Sequence, residues 1–298
     1  MNKFFQSLFS GDKLVIGIPY GWFILLVAIP LLIVMKISLS EMEATSVSNM
    51  ISWVDGFPTL KLNFANYQFI FSDALYVKTY ISSLKYAVLT TLICLAIGYP
   101  FAYFMARSPK HLQPMLLMLI MLPFWTSFLL RIYAWKTLLV SNGVINNILM
   151  SLHIIDSPIA MMNNSFSLII GMVYSYLPFM ILPLYANLSK LDLRYLEAAA
   201  DLGASPFKAF WLITVPLSKA GIIAGSMLVF IPAVGEFVIP ELLGGPDTLM
   251  IGRVLWDEFF SNNDWPMAAA VAVVMIALIL VPMAILNRAE AKLEEAKS

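Results

Sequence analysis

Six long apolar segments dominate the pattern of hydrophobic and polar positions along the chain. A helix needs roughly 20 apolar residues to cross the hydrocarbon core of a bilayer, and each segment is about that long. The fifth is interrupted by Pro232, Gly235 and Pro240, which predicts a broken helix there. The pattern predicts an all-α membrane protein, with one domain over residues 1–298 and six transmembrane helices at about 14–39, 86–106, 115–140, 166–188, 220–243 and 266–286.

Composition agrees with this class. Hydrophobic residues make up 60% and charged residues 12% of the 298, a balance that soluble globular domains do not show. The first apolar run follows Lys3 and Lys13, but it is too long for a signal-peptide core and lacks a small-residue cleavage site. We therefore expect it to be retained as the first span.

The distribution of charge predicts an orientation. Lys and Arg near span ends stay in the cytoplasm, and placing both termini there puts eleven of the eighteen basic residues on the cytoplasmic side. Acidic residues show the opposite bias, which would favour the approach of a cation from outside. Alternatively, acidic residues accumulate on external loops because they have little effect on insertion.

The link between the fourth and fifth spans, residues 190–216, is expected in the cytoplasm and differs from its surroundings. It contains two short amphipathic segments that cannot cross a membrane. For the first segment, Asp192 is the predicted N-cap and Gly203 fits the left-handed position after the helix. The pattern predicts a compact pair of helices, which we call the elbow.

The second helix of the elbow has its own start and stop signals. Ser205 and Pro206 predict an N-cap followed by a first-turn proline, and Pro216 predicts the end. An apolar face is formed by Phe207, Phe210, Trp211 and Thr214. Such a face needs a protein groove or a lipid interface; because only Arg194 and Lys208 are basic, we favour a protein partner.

The elbow also carries a motif. Glu197-Ala198-Ala199 is followed after three residues by Gly203, and then by Ile213, Val215 and Pro216. This resembles the EAA loop of binding-protein-dependent ABC importer permeases, with Val215 in place of the usual Leu. The resemblance implies a type I, MetI-like permease fold with cytoplasmic coupling helices that dock onto an ATPase subunit through Glu197, Ala198, Ala199, Gly203, Ile213 and Pro216. For Glu197, a solvated surface charge remains the alternative.

Further stretches narrow the resemblance. Residues 122–129, 131–135, 235–245 and 250–256 are similar to the permeases of putrescine and spermidine importers, and most of all to a putrescine permease subunit. This implies a bacterial inner-membrane complex with a second homologous permease, two ATPase subunits and a periplasmic polyamine-binding protein. The chain has no phosphate-binding loop motif, so ATP and Mg²⁺ are expected on the ATPase subunits. No cofactor, metal or nucleic acid is expected on this chain.

A polyamine cation needs carboxylates, carbonyl oxygens or aromatic faces to replace its water. Glu236 lies in the broken fifth span, and a carboxylate within the membrane is a functional candidate. Alternatively, it pairs with Arg131 or Lys136 to fix helix packing, and the aromatic residues form interface belts. The accompanying candidates are two carboxylates nearer the outer mouth and three aromatic residues: Glu241, Asp257, Trp125, Tyr174 and Tyr176.

Two other classes compete with this interpretation. A stand-alone channel or ion-coupled carrier would also use six spans and a buried carboxylate, but it needs no ATPase dock. An intramembrane enzyme is disfavoured, because His111 and His153 lie outside the spans and no zinc-binding motif is present. The sequence therefore predicts a permease subunit of an ATP-driven importer of polyamines, with another small solute as the alternative substrate.

Overall fold

The computed structural model describes residues 11–43, 46–48, 51–54 and 57–295, and these are mostly helical. Lys3 therefore lies outside the described residues. The helices are α1 (Gly11–Phe23), α2 (Ile29–Ser38), α3 (Ala65–Ser72), α4 (Ala74–Arg107), α5 (Gln113–Met121), α6 (Phe128–Leu139), α7 (Val144–Ser151), α8 (Ser165–Leu188), α9 (Arg194–Asp201), α10 (Pro206–Ala209), α11 (Val215–Leu217), α12 (Lys219–Val234), α13 (Val238–Leu243), α14 (Ile251–Trp256) and α15 (Trp265–Glu295). Short 3₁₀ turns cover Leu122–Trp125 and Pro246–Thr248, and π-helical turns cover Ile24–Ala28, Phe210–Thr214 and Asp257–Ser261.

The chain forms two compact units, of which the first comprises residues 1–77 and 255–298. Its helix α1 continues through a π-helical turn into α2, and α2 packs against α15. Large apolar side chains along α1 and α2 are exposed, as expected for a surface that meets lipid. Two antiparallel hairpins follow α2, and their strands are β1 (Met42–Glu43), β2 (Ser46–Val47), β3 (Ile51–Val54) and β4 (Phe57–Leu60).

The second unit, residues 78–254, is built around the packing of α8 against α12. Two glycines of α12 allow this approach. A Cβ on Gly221 would lie 2.8 Å from the Cβ of Asn187, and one on Gly225 would lie 2.8 Å from the Sδ of Met180. Small residues spaced four apart let helix backbones come close within a membrane.

Helix α8 begins with a capping box. The Asn164 side chain accepts hydrogen bonds from the backbone N–H groups of Phe166 and Ser167, and the Ser167 hydroxyl accepts one from the Asn164 N–H. The same hydroxyl lies 2.6 Å from the Leu243 carbonyl oxygen at the end of α13. This contact fixes α13 against the start of α8.

The predicted number of spans is only partly supported. By length and composition, the described residues contain three helices that can cross a membrane: Gly17–Ser38, Ala74–Arg107 and Ser165–Leu188. Two bent helix pairs raise the number to five if each pair is one span, and Trp265–Leu280 is a shorter apolar helix. A mostly helical membrane protein is confirmed, whereas the count of six stays a prediction.

The third predicted span, residues 115–140, is not one straight helix. The backbone is extended at Thr126 and Ser127, and the helical segments on either side meet at 85°. In the fifth segment the predicted break is present, because α12 ends at Val234 and α13 begins at Val238. Apolarity alone carries no information about such changes of direction.

Candidate functional site

The first half of the elbow follows the predicted pattern with a shift of one residue. The helix begins at Arg194, but Leu193 before it already has a helical backbone and its side chain forms no capping hydrogen bond. Asp192 still stabilises the start of the helix, since its Oδ1 accepts a hydrogen bond from the Arg194 N–H at 3.0 Å. Gly203 adopts a φ of 79°, which confirms the left-handed turn.

The second half starts as predicted and ends later. The Ser205 hydroxyl accepts a hydrogen bond from the Lys208 N–H, and Pro206 occupies the first turn of α10. A π-helical turn at Phe210–Thr214 precedes Pro216, and the helix ends one residue after it, at Leu217, where α12 follows at an angle of 66°. In that turn the Val215 N–H bonds to the Phe210 carbonyl oxygen five residues back, and the altered bonding tolerates a proline without an N–H.

The predicted apolar face of the elbow divides into a packed part and an exposed part. Phe210 packs edge-to-face against Tyr99 and Tyr103 of α4, at centroid distances of 5.5 and 5.7 Å. The Tyr99 hydroxyl also hydrogen-bonds to Ser218 at 2.8 Å. On the outside, Phe207 and Trp211 of this face remain 75% and 54% exposed, and Leu202 between the two helices is 88% exposed. An exposed cluster of this kind is typical of a docking surface.

The motif residues of the elbow occupy different environments. Glu197 and Ala198 are exposed on α9, whereas Ala199 is buried. Ile213 is half-buried in the π-helical turn, and Pro216 is exposed in α11. The side chains that a partner can reach are therefore those on the outer face of the two helices.

Glu236 lies in the break between α12 and α13, where its carboxylate is fully engaged. Its Oε1 accepts hydrogen bonds from the backbone N–H groups of Val238 and Ile239, at 3.0 and 3.3 Å. Its Oε2 accepts a hydrogen bond from the Tyr176 hydroxyl of α8. Within the described part of the chain, Glu236 forms no ion pair with Arg131 or Lys136. Local capping and a tyrosine thus hold this carboxylate in place.

The backbone of the break is held from the side of α14. A Cβ on Gly252 would lie 2.4 Å from the Gly235 carbonyl oxygen and 2.7 Å from that of Glu236, so only glycine permits this approach. The neighbouring Ile251 N–H donates a hydrogen bond of 2.7 Å to the Ser83 hydroxyl of α4. The position of Glu236 is therefore fixed by packing as well as by its own hydrogen bonds.

The three aromatic candidates do not form one group. Tyr176 is buried and contacts Glu236, while Tyr174 lies edge-to-face with Trp135 at 5.5 Å. Trp125 is 76% exposed in the 3₁₀ turn before α6. The structure thus brings one of the predicted aromatic residues to the predicted carboxylate.

The two outer carboxylates have surroundings of their own. Glu241 pairs with Arg253 at 2.7 Å, a partner that the sequence analysis missed because no spacing rule links these positions. Asp257 belongs to the first unit, where it begins the π-helical turn after α14.

Arg131 is a second residue whose surroundings the sequence did not reveal. Its guanidinium lies over the rings of Phe124 and Phe128, at 5.0 and 5.7 Å, beside the 85° bend. Its Nε and Nη1 are buried and have no hydrogen-bond partner among the described residues. Cation–π contacts with the two rings thus stabilise this charge.

The geometry of a broken span beside a two-helix elbow can now be compared with known proteins. The chain belongs to the family of binding-protein-dependent transport system inner membrane components, whose model matches residues 96–295. Its fold is that of a bacterial ABC transporter involved in the import of the acidic polysaccharide alginate: the TM-score is 0.68, with 15% identity, over 98% of this chain and 99% of that one. A second structure, of the alginate transporter in complex with a pentasaccharide-bound periplasmic protein, gives a TM-score of 0.64 at 16% identity and covers 93% of each chain.

Among sequence relatives, the chain is 40% identical over 272 residues to the spermidine/putrescine transport system permease protein PotB of Haemophilus influenzae. The match covers 90% of this chain and 91% of that protein. The predicted resemblance to polyamine importer permeases is therefore confirmed. The chain is an inner-membrane permease component of a bacterial ABC transporter and not an enzyme.

Proposed function

We propose that this chain is a transmembrane permease subunit of an ATP-driven importer of polyamines, most of all putrescine, and forms half of the translocation pathway. The observation that carries the proposal is the elbow, whose inner face packs on α4 through Phe210 and whose outer residues Leu202 and Phe207 stay 88% and 75% exposed. The polyamine substrate is supported by the 40% identity to a permease named for spermidine and putrescine.

In this proposal the elbow lies in the cytoplasm, as both termini do, and fits into a cleft of an ATPase subunit. Leu202 and Phe207 supply the apolar contact, while Glu197 and Ala198 face the same partner. ATP and Mg²⁺ bind to the two ATPase subunits. Because Phe210 is packed between two tyrosines of α4, a movement of the docked elbow is transmitted directly to a membrane-spanning helix.

The proposed complex contains two further kinds of partner. A second homologous permease completes the pathway, and a periplasmic polyamine-binding protein delivers the substrate. Closure of the ATPase subunits on ATP moves the elbow, rocks the two permeases and opens the pathway outward. Hydrolysis resets the complex and releases the substrate inward.

Glu236 is the proposed pathway carboxylate, with Tyr176 as its orienting neighbour. Its Oε1 is occupied by two backbone donors, so the passing ammonium group meets Oε2 and the adjacent tyrosine. Glu241 and Asp257 attract the cation near the outer mouth, and Trp125 and Tyr174 offer aromatic faces. For Glu241 to attract the polyamine, its negative charge must outweigh the opposing charge of Arg253, with which it is paired.

Uptake in cells tests the substrate. Cells that carry this chain with its partner subunits should accumulate labelled putrescine, and cells lacking the chain should not. Excess spermidine should compete if the importer accepts both amines. Equal putrescine uptake by both strains would contradict the polyamine assignment and favour another small solute.

A further inference from the structure

An open apolar groove lies on the second unit where α4 meets the elbow and α12. Its volume is about 380 Å³. One wall is formed by residues on successive turns of α4, and Phe210 and Trp211 form much of the opposite wall. The lining residues are otherwise Leu92, Leu95, Ala96, Tyr99, Pro100, Val215 and Ile222. The lining side chains are apolar apart from the Trp211 indole N–H and the Tyr99 hydroxyl, and that hydroxyl is bonded to Ser218.

A cation that has no anionic partner among the described residues, Arg107, lies further along α4. The Arg107 guanidinium lies 5.2 Å from the ring of Tyr103, and Tyr103 packs against Phe210 of the groove wall. Arg107 Nη2 is buried without a hydrogen-bond partner, and the guanidinium forms no ion pair with any described residue. A partly buried, unpaired charge is costly, so the site favours an anion.

We propose that the groove and Arg107 together bind one anionic phospholipid, with an acyl chain in the groove and the phosphate at the guanidinium. Along α4 the apolar groove comes first and the cationic Arg107 follows, which matches the order of acyl chain and phosphate in a phospholipid. From Leu92 to Arg107 the helix rises about 22 Å at 1.5 Å per residue, which accommodates half of a hydrocarbon core about 30 Å thick and a headgroup. A free phosphate would use Arg107 and leave the groove empty.

The location of the site gives the lipid a mechanical role. The acyl chain contacts both α4 and the π-helical turn of the elbow, so it fills the space beside the Phe210 contact and stiffens the joint between them. Only the choice of the cytoplasmic leaflet rests on the proposed function. Binding itself depends on the groove and on Arg107.

Native mass spectrometry of the chain, purified with its accompanying subunits, can test this site. The complex is titrated with palmitoyl-oleoyl phosphatidylglycerol and, separately, with the zwitterionic phosphatidylcholine of the same chains. The intact protein should bind the anionic lipid preferentially. Arg107→Gln should weaken its binding at least about tenfold, the factor expected for the loss of one hydrogen bond between charged groups, and remove the preference over phosphatidylcholine.

Two variants control the experiment. Lys110→Gln removes the same charge from an exposed position just past α4 and should leave binding within twofold. Ala96→Phe fills the groove from its exposed rim and should reduce the binding of both lipids while the melting temperature stays near that of the original chain.

Three outcomes would overturn the proposal: equal effects of Arg107→Gln and Lys110→Gln, unchanged lipid binding in Ala96→Phe, or displacement of the bound species by inorganic phosphate alone. Putrescine uptake that persists alongside any of these would leave the proposed transport function standing. If uptake fails while lipid binding is intact, the proposed transport function is contradicted and the lipid site stands.

Discussion

Glu236 offers a substitution that separates structure from transport. In Glu236→Gln the amide oxygen can still accept the hydrogen bonds from Val238 and Ile239, while the amide nitrogen donates to the Tyr176 oxygen in place of the bond that this tyrosine donated to Oε2. The structural loss is the difference between a charge-assisted and a neutral hydrogen bond, about 1 kcal/mol. Glu236→Ala removes all three bonds and leaves two backbone N–H groups without an acceptor, a loss of about 2–5 kcal/mol.

The two variants should therefore differ in a defined way. Glu236→Gln should assemble normally and melt only slightly earlier, whereas Glu236→Ala should be clearly less stable. Transport should fall in both, because attraction between a carboxylate and an ammonium group 4 Å away is worth about 4 kcal/mol at a partly buried site. We expect the glutamine variant to lose at least about tenfold in putrescine uptake, measured as initial rate per assembled complex.

A matched control comes from Glu241→Gln, which breaks the ion pair with Arg253. The Glu241 side chain is half exposed, so this change should cost less than about 1 kcal/mol of stability and reduce uptake less than Glu236→Gln does. Normal uptake kinetics in Glu236→Gln would remove this carboxylate from the pathway and leave it a helix cap.

Three further substitutions test the elbow and the break. Gly203→Pro cannot adopt a φ of 79° and should abolish substrate-stimulated ATPase activity and uptake while the spans stay folded; survival of both activities would refute the coupling role. Phe210→Ala should cost about 2–3 kcal/mol through lost packing and lower uptake per unit of ATP hydrolysed, and unchanged coupling would show that the elbow is not anchored through this ring. Gly252→Val should push the Gly235 and Glu236 carbonyls away from α14 and lower the melting temperature by more than Glu236→Gln does. Equal melting curves would contradict the close contact between Gly252 and these carbonyls.

The local chemistry of the elbow was readable from the sequence. Gly203 and the Ser205–Pro206 pair act through neighbours only a few residues away, so their turn and cap could be predicted correctly. The π-helical turn before Pro216 could not be predicted, because its hydrogen bonds span five residues and no local pattern marks them. Apolarity likewise located the segment 115–140 but gave no sign of its 85° bend.

The candidate site shows a similar limit. A carboxylate in a broken apolar segment pointed to Glu236, yet its contact with Tyr176, sixty residues earlier in the chain, arises only when α8 and α12 pack together. The pairing of Glu241 with Arg253 also depends on tertiary structure. Long-range packing decides which polar groups meet, and a single sequence does not encode those distances in any local pattern.

The central claim is that a separate ATPase subunit holds the elbow. A photo-activated crosslinker at Ala198, exposed on α9, tests it directly in membranes. The account predicts a crosslinked product that contains a nucleotide-hydrolysing subunit and whose yield changes when ATP is added. Crosslinks to lipid alone, with no such subunit captured, would contradict it.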